Sequence, residues 1–172
     1  MLTRKARLQD AQNIYDLVHS LSDDGTLLPR DFAEICENVR DFCVVESSDG
    51  EFLGCGALHL YGPHLAEVRS IVVAPEAKGR GAGSELVYAL LAEAESNGVP
   101  CVCLFTRIPD FFTRHGFQVV ERNRIPDKIY KDCQQCPRLH ACDEVAMARG
   151  ELPSIAILGP ATVDEELVQL DI

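Results

Sequence analysis

The sequence predicts an α+β domain, a mixed and mostly antiparallel sheet flanked by helices. Three observations predict it. The spacing of apolar residues alternates between strand-like and helix-like periods and gives the order β-α-α-β-β-β-α-β-α-β, which combines hairpins with one or two crossovers. Ser47-Ser48-Asp49-Gly50 separates two apolar runs, and Asp-Gly is the strongest short hairpin signal. Ile71-Val72-Val73 leads through Ala74-Pro75 and a glycine-rich loop into a helical pattern, a strand–loop–helix unit.

In chain order, L-T-R-K-A near the N-terminus is extended. Leu8 to Leu21 carries Ile14, Leu17, Val18 and Leu21 at helical spacing. Ser22 to Thr26 is a polar turn. Pro29 to Val39 reads as a second helix, with Pro29 in its first turn and Phe32, Ile35, Cys36 and Val39 on its apolar side. Phe42 to Val45 and Phe52 to Tyr61 form the hairpin, and Gly62-Pro63 turns the chain. Ala66 to Val73 is the central strand. Its period of two places Glu67, Arg69, Ile71 and Val73 on one face and Val68, Ser70 and Val72 on the other. Gly81 to Ser96 is the long helix, closed by Asn97-Gly98. Val102 to Phe105 is a buried strand, Pro109 to His115 a short helix ended by Gly116, and Phe117 to Val120 a last strand.

A chain of 172 residues is expected to form one domain with a sizeable core. Apolar residues make up 47% and charged residues 25%, as in globular proteins. The formal net charge of −11 argues against nucleic acid or an anionic membrane surface as partner. No apolar run approaches the roughly 18 residues of a membrane span, and M-L-T-R-K-A-R has no apolar h-region. A cytoplasmic location with reduced thiols is therefore expected. Five of the eight cysteines, Cys36, Cys43, Cys55, Cys101 and Cys103, lie in apolar surroundings and read as small core residues.

The glycine loop, Lys78-Gly79-Arg80-Gly81-Ala82-Gly83 followed by Ser84, has the makings of an anion site. The first N–H groups of a helix lack helical partners, and its dipole puts positive potential there. Glycines let a phosphate approach the backbone without meeting a Cβ, and Lys78 and Arg80 add charge. The spacing is neither G-x-x-x-x-G-K-[ST] nor G-x-G-x-x-G.

That loop resembles the [QR]-x-x-G-x-[GA] motif of the GCN5-related N-acetyltransferase (GNAT) family, with lysine at the first position. F-F-T-R-H-G-F, Phe111 to Phe117, resembles the family's F-Y-x-x-x-G-F element, with Phe112 where tyrosine is usual. The resemblance implies a sheet splayed open between the strand ending at Val73 and the strand at 101–105, with acetyl-CoA in the gap. It implies cofactor contacts from Ile71, Val72, Val73, Lys78, Gly79, Arg80, Gly81, Ala82, Gly83, Ser84 and Phe112, and an oxyanion contact from a backbone N–H near Val72 or Val73. The usual tyrosine often protonates the leaving thiolate, a role that here passes to another group or to water. C-G-A-L-H (Cys55 to His59), A-E-V-R-S-I-V-V and I-P-D-K-I-Y-K-D-C-Q-Q-C-P narrow the resemblance to short bacterial N-acetylglutamate synthases over residues 1–147. This implies acetyl transfer to the α-amino group of glutamate, the entry to arginine biosynthesis. The longer synthases carry Y-N-x-x-R-x-S-K where Tyr130 is here followed by Lys131-Asp132-Cys133, so the acceptor is open.

An amine acceptor arrives as ammonium and must lose a proton. Glu67 is the candidate general base, with pairing to Arg69 as the alternative role. Arg69 is a candidate partner for an acceptor carboxylate, or else half of that ion pair. Arg107 and Lys128 are further candidates for the same pocket, or solvated surface charges. Cys133, Cys136 and Cys142, with His140 between, have C-x-x-C spacing that suits a soft metal, a redox pair or reduced structural thiols. No metal site is assigned. Residues 148–172 form an extension, in which S-I-A-I-L reads as a strand before an acidic helix-like stretch. Such a segment can pair with a second copy's edge, making a homodimer one expectation, or remain a tail. Two other functions stay open: acetylation of another small amine or amino acid, including polyamines, and a non-catalytic acetyl-CoA-binding regulatory module.

Overall fold

The computed structural model describes residues 1–20, 30–136 and 141–153. The chain runs through β1 (Leu2–Lys5), α1 (Ala11–Ser20), α2 (Phe32–Glu37), β2 (Phe42–Glu46), β3 (Phe52–Gly62), β4 (Leu65–Val73), α3 (Ala82–Ser96), β5 (Cys101–Thr106), α4 (Pro109–Thr113), β6 (Gln118–Val119), α5 (Pro126–Lys131) and β7 (Val145–Gly150). The strands form one sheet in the order β1-β2-β3-β4-β5-β7-β6. Every neighbouring pair is antiparallel except β4–β5, which is parallel.

Two cores cover opposite faces of the sheet. On one, Leu86, Val87, Leu90 and Ala94 of α3 pack on Val45, Leu53, Leu58, Val68 and Leu104. On the other, Ile14 and Val18 of α1 and Ile35 of α2 pack on Phe42, Val44, Cys55 and Val72. A smaller cluster continues along the second face toward α5, joining Leu65, Cys101, Cys103, Ile125, Ala146 and Ala148. Amphipathic helices thus bury their stripes on both sides of a sheet that is apolar on both faces.

Several element boundaries differ from expectation for identifiable reasons. The helix expected from Leu8 begins as a 3-10 turn, Leu8–Asp10, and becomes α-helical only at Ala11. Asp10 is buried there, accepting from Arg4 and, at 2.7 Å, from the Arg7 N–H. The second helix is confined to Phe32–Glu37, followed by a 3-10 turn at Val39–Asp41, and Phe32 is exposed rather than part of a buried side. Pro29, Leu21, the turn at 22–26 and the S-I-A-I-L segment lie outside the described residues. Two elements had not been expected at all, α5 and β7. β7 pairs with β5 along its whole length, from Cys101↔Gly150 to Thr106↔Val145, and straddles position 147.

The expected single face of the central strand is corrected by a bulge. Cys55 pairs with Val72 but Ala57 pairs with Arg69, so β4 carries one residue more than β3 across this stretch. Ser70 adopts φ 53°, the left-handed region, which is rare for a non-glycine residue. Side-chain alternation shifts by one at that point. Ala66, Val68, Ile71 and Val73 point to the α3 face, whereas Val72 joins the opposite core. Glu67 turns toward α5, so it does not share a face with Ile71 and Val73.

Candidate active site

The parallel pair β4–β5 holds together only at Ala66↔Val102 and Glu67↔Cys103. Beyond those residues the strands diverge. The opening is a cleft of about 800 Å3, walled by Val68–Val73 on one side and Leu104–Ile108 on the other. Its β4 edge past Glu67 presents main-chain groups that β5 does not take.

The glycine loop closes one end of this cleft. Gly81 caps α3 with φ 91°, and Gly79 has φ 75°; a Cβ at Gly79 would meet nothing within 4 Å, so the loop backbone is open to a ligand. The N–H groups of Ala82, Gly83 and Ser84 begin a fifteen-residue helix, and the first intrahelical bond is donated by Glu85 to Gly81 at 3.1 Å. Lys78 lines the same cleft. Positive potential, unpaired amides and space therefore coincide, the donor set that a diphosphate needs. The cleft brings together Ile71, Val72, Val73, Lys78, Gly79, Gly81, Ala82, Gly83, Ser84 and Phe112. Arg80 is exposed and not among its lining residues. Phe112 is also a core residue, stacked edge-on against Phe111 at 4.9 Å and Phe117 at 5.9 Å, so it offers the cleft a rigid apolar wall.

A second, smaller cavity opens off the cleft and shares Val68, Arg69, Ser70, Phe105 and Glu144 with it. Glu67 lines this cavity and is 2% exposed. Its carboxylate accepts from Tyr61 Oη at 2.7 Å and lies 2.8 Å from Lys128 Nζ. Lys128 also donates to Asp132 at 2.8 Å, one helical turn further on. The partner of Glu67 is thus Lys128, on α5, and not its strand neighbour Arg69. Arg69 lies 3.9 Å from Asp132.

Burial alone would lower the Lys128 ammonium pKa, but Glu67 and Asp132 outweigh it and hold the pKa above the ordinary lysine value. Burial likewise works to raise Asp132, and Lys128 with Arg69 outweighs that, leaving its carboxyl below the usual range. Burial, then the Glu67 charge, pushes the Tyr61 phenol up, so its hydroxyl keeps its proton and donates.

Lys128 and Arg69 therefore line the cavity together, while Arg107 lines the cofactor cleft instead and donates to Asp143 at 2.8 Å. Arg107 does not share the pocket assigned to it from sequence. Sequence reasoning missed Arg30, Tyr61, Arg122, Asp132 and Glu144, because each reaches the site from a different element across long chain separations. Tyr61 carried the one usable signal: it stands six residues before Glu67 in a hairpin. Cys133, Cys136 and Cys142 all line the smaller cavity. Among the described residues no three His, Cys, Asp or Glu side chains form a metal-ligand group, and His140 lies outside them. All eight cysteines are free thiols. Burial raises Cys43 and Cys101 to about 11 and Cys55 to about 12, as neutral core residues require, whereas Cys36 is only partly buried.

A splayed parallel strand pair, a glycine-capped helix start and an adjoining charged cavity define an acyl-CoA-dependent transferase. Residues 8–117 match the Acetyltransferase (GNAT) family, and the chain belongs to that family. It is an acetyl-CoA-dependent N-acetyltransferase. Over 146 residues it is 38% identical to an uncharacterized N-acetyltransferase of Chlorobaculum tepidum, covering 85% of this chain and 94% of that one. It is 32% identical to the amino-acid acetyltransferase of Mycobacterium tuberculosis over 76% of both chains. A crystal structure of a Mycobacterium tuberculosis protein in complex with CoA superposes with a TM-score of 0.76 at 28% identity, over 88% of this chain and all of the other. The N-acetylglutamate synthase of Neisseria gonorrhoeae, solved with coenzyme A and N-acetyl-glutamate, shares the fold at TM-score 0.78 and 23% identity, over 89% of this chain and 35% of that one. Among the described residues no helix is long and apolar enough to cross a membrane.

Proposed function

We propose that the chain transfers acetyl from acetyl-CoA to the α-amino group of an amino acid, with L-glutamate as the acceptor, and so performs the N-acetylglutamate synthase reaction that opens arginine biosynthesis. We place it in the cytoplasm, where eight free thiols stay reduced. The single observation that carries the reading is the smaller cavity. It sets a buried carboxylate, Glu67, among Arg30, Arg69, Arg122 and Lys128 in a chain of net charge −11, and it opens onto the cofactor cleft. With Asp132 and Glu144 also lining it, the cavity's four cations outnumber its three carboxylates, a balance that suits an acceptor carrying carboxylates rather than a polyamine. The names of the amino-acid acetyltransferase relatives support the same acceptor class.

In this reading acetyl-CoA supplies the activated acetyl thioester. The α3 N-terminus and Lys78 hold its diphosphate, and the free edge of β4 holds its arm. Backbone N–H groups at Val72 or Val73 stabilise the oxyanion. Glu67 accepts the proton of the acceptor ammonium, directly or through one water. Phe112 has no hydroxyl, so the leaving thiolate takes its proton from another group or from water. Alignment of both reactants in joined cavities supplies much of the acceleration.

Thiol release from acetyl-CoA with a panel of amino acids and polyamines tests the assignment. Glutamate is expected to give the highest kcat/KM. A polyamine or neutral amino acid in that place would change the acceptor, and acetyl-CoA binding without turnover would make the chain a regulatory module. Glu67→Gln is expected to lower kcat by about 10²–10⁴ with acetyl-CoA affinity retained; normal turnover at every pH would remove Glu67 from the mechanism.

A further inference from the structure

The cations around the smaller cavity are not equivalent. Arg30 is ion-paired with Glu34 and donates to Ser70 Oγ at 3.1 Å. Arg69 faces Asp132, and Lys128 is held between Glu67 and Asp132. Each of these charges is met by a carboxylate of the chain itself. Arg122 is different. Its Nη2 donates to Cys142 Sγ at 3.1 Å and to the Glu144 main-chain oxygen at 2.8 Å, and its guanidinium lies over the Phe105 ring at 5.4 Å. Neither partner is a carboxylate. Among the described residues Arg122 makes no ion pair, and its Nε and Nη1 donors have no hydrogen-bond partner.

We propose that Arg122 selects a dicarboxylic acceptor by binding its side-chain carboxylate, an inference that rests on the acidic amino-acid acceptor proposed above. A sulfur, a main-chain oxygen and an aromatic face orient the guanidinium without a carboxylate partner. That arrangement keeps a charged donor set ready for an incoming anion. Arg30, Arg69 and Lys128 can bind a carboxylate only in competition with their own partners. Glu144 lines the junction of cavity and cleft. It gives the acceptor a polarity, with the ammonium at the junction near the thioester and the distal carboxylate at Arg122. Cys142 becomes a positioning residue, which gives one member of the cysteine cluster a role that needs no metal and no oxidation.

The test compares kcat/KM for glutamate and glutamine in the full-length protein and in Arg122→Gln, with acetyl-CoA binding by titration as the control for folding. The wild-type protein is expected to prefer glutamate. Arg122→Gln is expected to lose about 10- to 100-fold of kcat/KM for glutamate, mostly through KM, the size of a hydrogen bond to a charged group. Acetyl-CoA affinity is retained and kcat/KM for glutamine falls far less than that for glutamate, so the preference collapses. Arg122→Lys, which keeps charge and bulk, retains part of the preference and covers the case in which the glutamine variant folds poorly. A wild-type preference for glutamate that survives intact in both variants overturns the role of Arg122 alone. A wild-type protein with no preference for glutamate overturns the acceptor reading and this inference together.

Discussion

At the scale of single residues, the site turns on Lys128. Its ammonium touches two carboxylates, Glu67 and Asp132, and its side chain is 11% exposed. Removing it leaves Glu67 buried beside only the Tyr61 hydroxyl. Lys128→Met is therefore expected to destabilise the fold by about 3–5 kcal/mol in urea melts, the cost of stripping one member from a buried pair. Combining it with Glu67→Gln restores part of that loss. The pH window follows from the two shifts. Asp132 is lowered, so its contribution is complete above the unfolded carboxylate value, ~3.9, and disappears as pH falls through the folded one. Lys128 is raised, so its contribution is complete below ~10.4 and disappears as pH rises through its folded value. The difference between wild type and Lys128→Met should thus stay level from about pH 5 to pH 9 and shrink below about pH 4. A difference that grew on acidification would refute the pairing. Glu67 and Arg69 were legible as candidates because charges inside an apolar strand require an explanation. Their true partners were not, since Lys128 and Asp132 lie more than sixty positions away.

Among elements, β4 and the start of α3 do the positioning. The bulge at Ser70 reverses the alternation of β4, and so sends Glu67 toward α5 while Ile71 and Val73 face α3. A strict period of two could not show it: the pattern carries no mark where one extra residue enters the ladder. The glycine loop was the reverse case. Its glycines announced an open backbone, and Gly79 and Gly81 adopt the positive φ that glycine allows. Gly81 precedes the helix at φ 91°. An alanine there pays roughly 1–2 kcal/mol for the left-handed conformation. Gly81→Ala is expected to lower thermal stability by that amount and to weaken coenzyme A binding, as measured by calorimetry. An unchanged affinity would mean that the loop does not hold the cofactor. β7 escaped notice because V-A-M-A-R-G has one β-branched residue and four good helix formers, and it is a strand only because β5 and β6 lie on either side of it.

The molecule as a whole is a sheet left partly open. A parallel pair that stays closed for two residues and then diverges leaves main-chain groups and apolar surface unpaired in a cleft of about 800 Å3. Its ligand completes that structure. Coenzyme A at about 100 times its Kd should therefore stabilise the fold by about 2.7 kcal/mol. In a domain of this size each kcal/mol moves Tm by about 2–4 °C. No shift on titration would leave the cleft without its assigned occupant. The net charge of −11 opposes an anionic ligand at long range, which makes the local donors at the α3 N-terminus the decisive attraction.

Local pattern was enough for the α+β class and the strand–glycine loop–helix unit, because backbone conformation, helix capping and apolar periodicity are properties of neighbouring residues; acetyl-CoA came from the resemblance of two motifs to a family. The acceptor cavity was assembled by packing. Arg30, Glu67, Arg122, Lys128 and the three cysteines come from separate elements, and which charge meets which is set by β7 closing on β5 and by one extra residue in β4. Coulomb and hydrogen-bond partners act over a few ångströms of space, and spacing along a chain does not encode that distance.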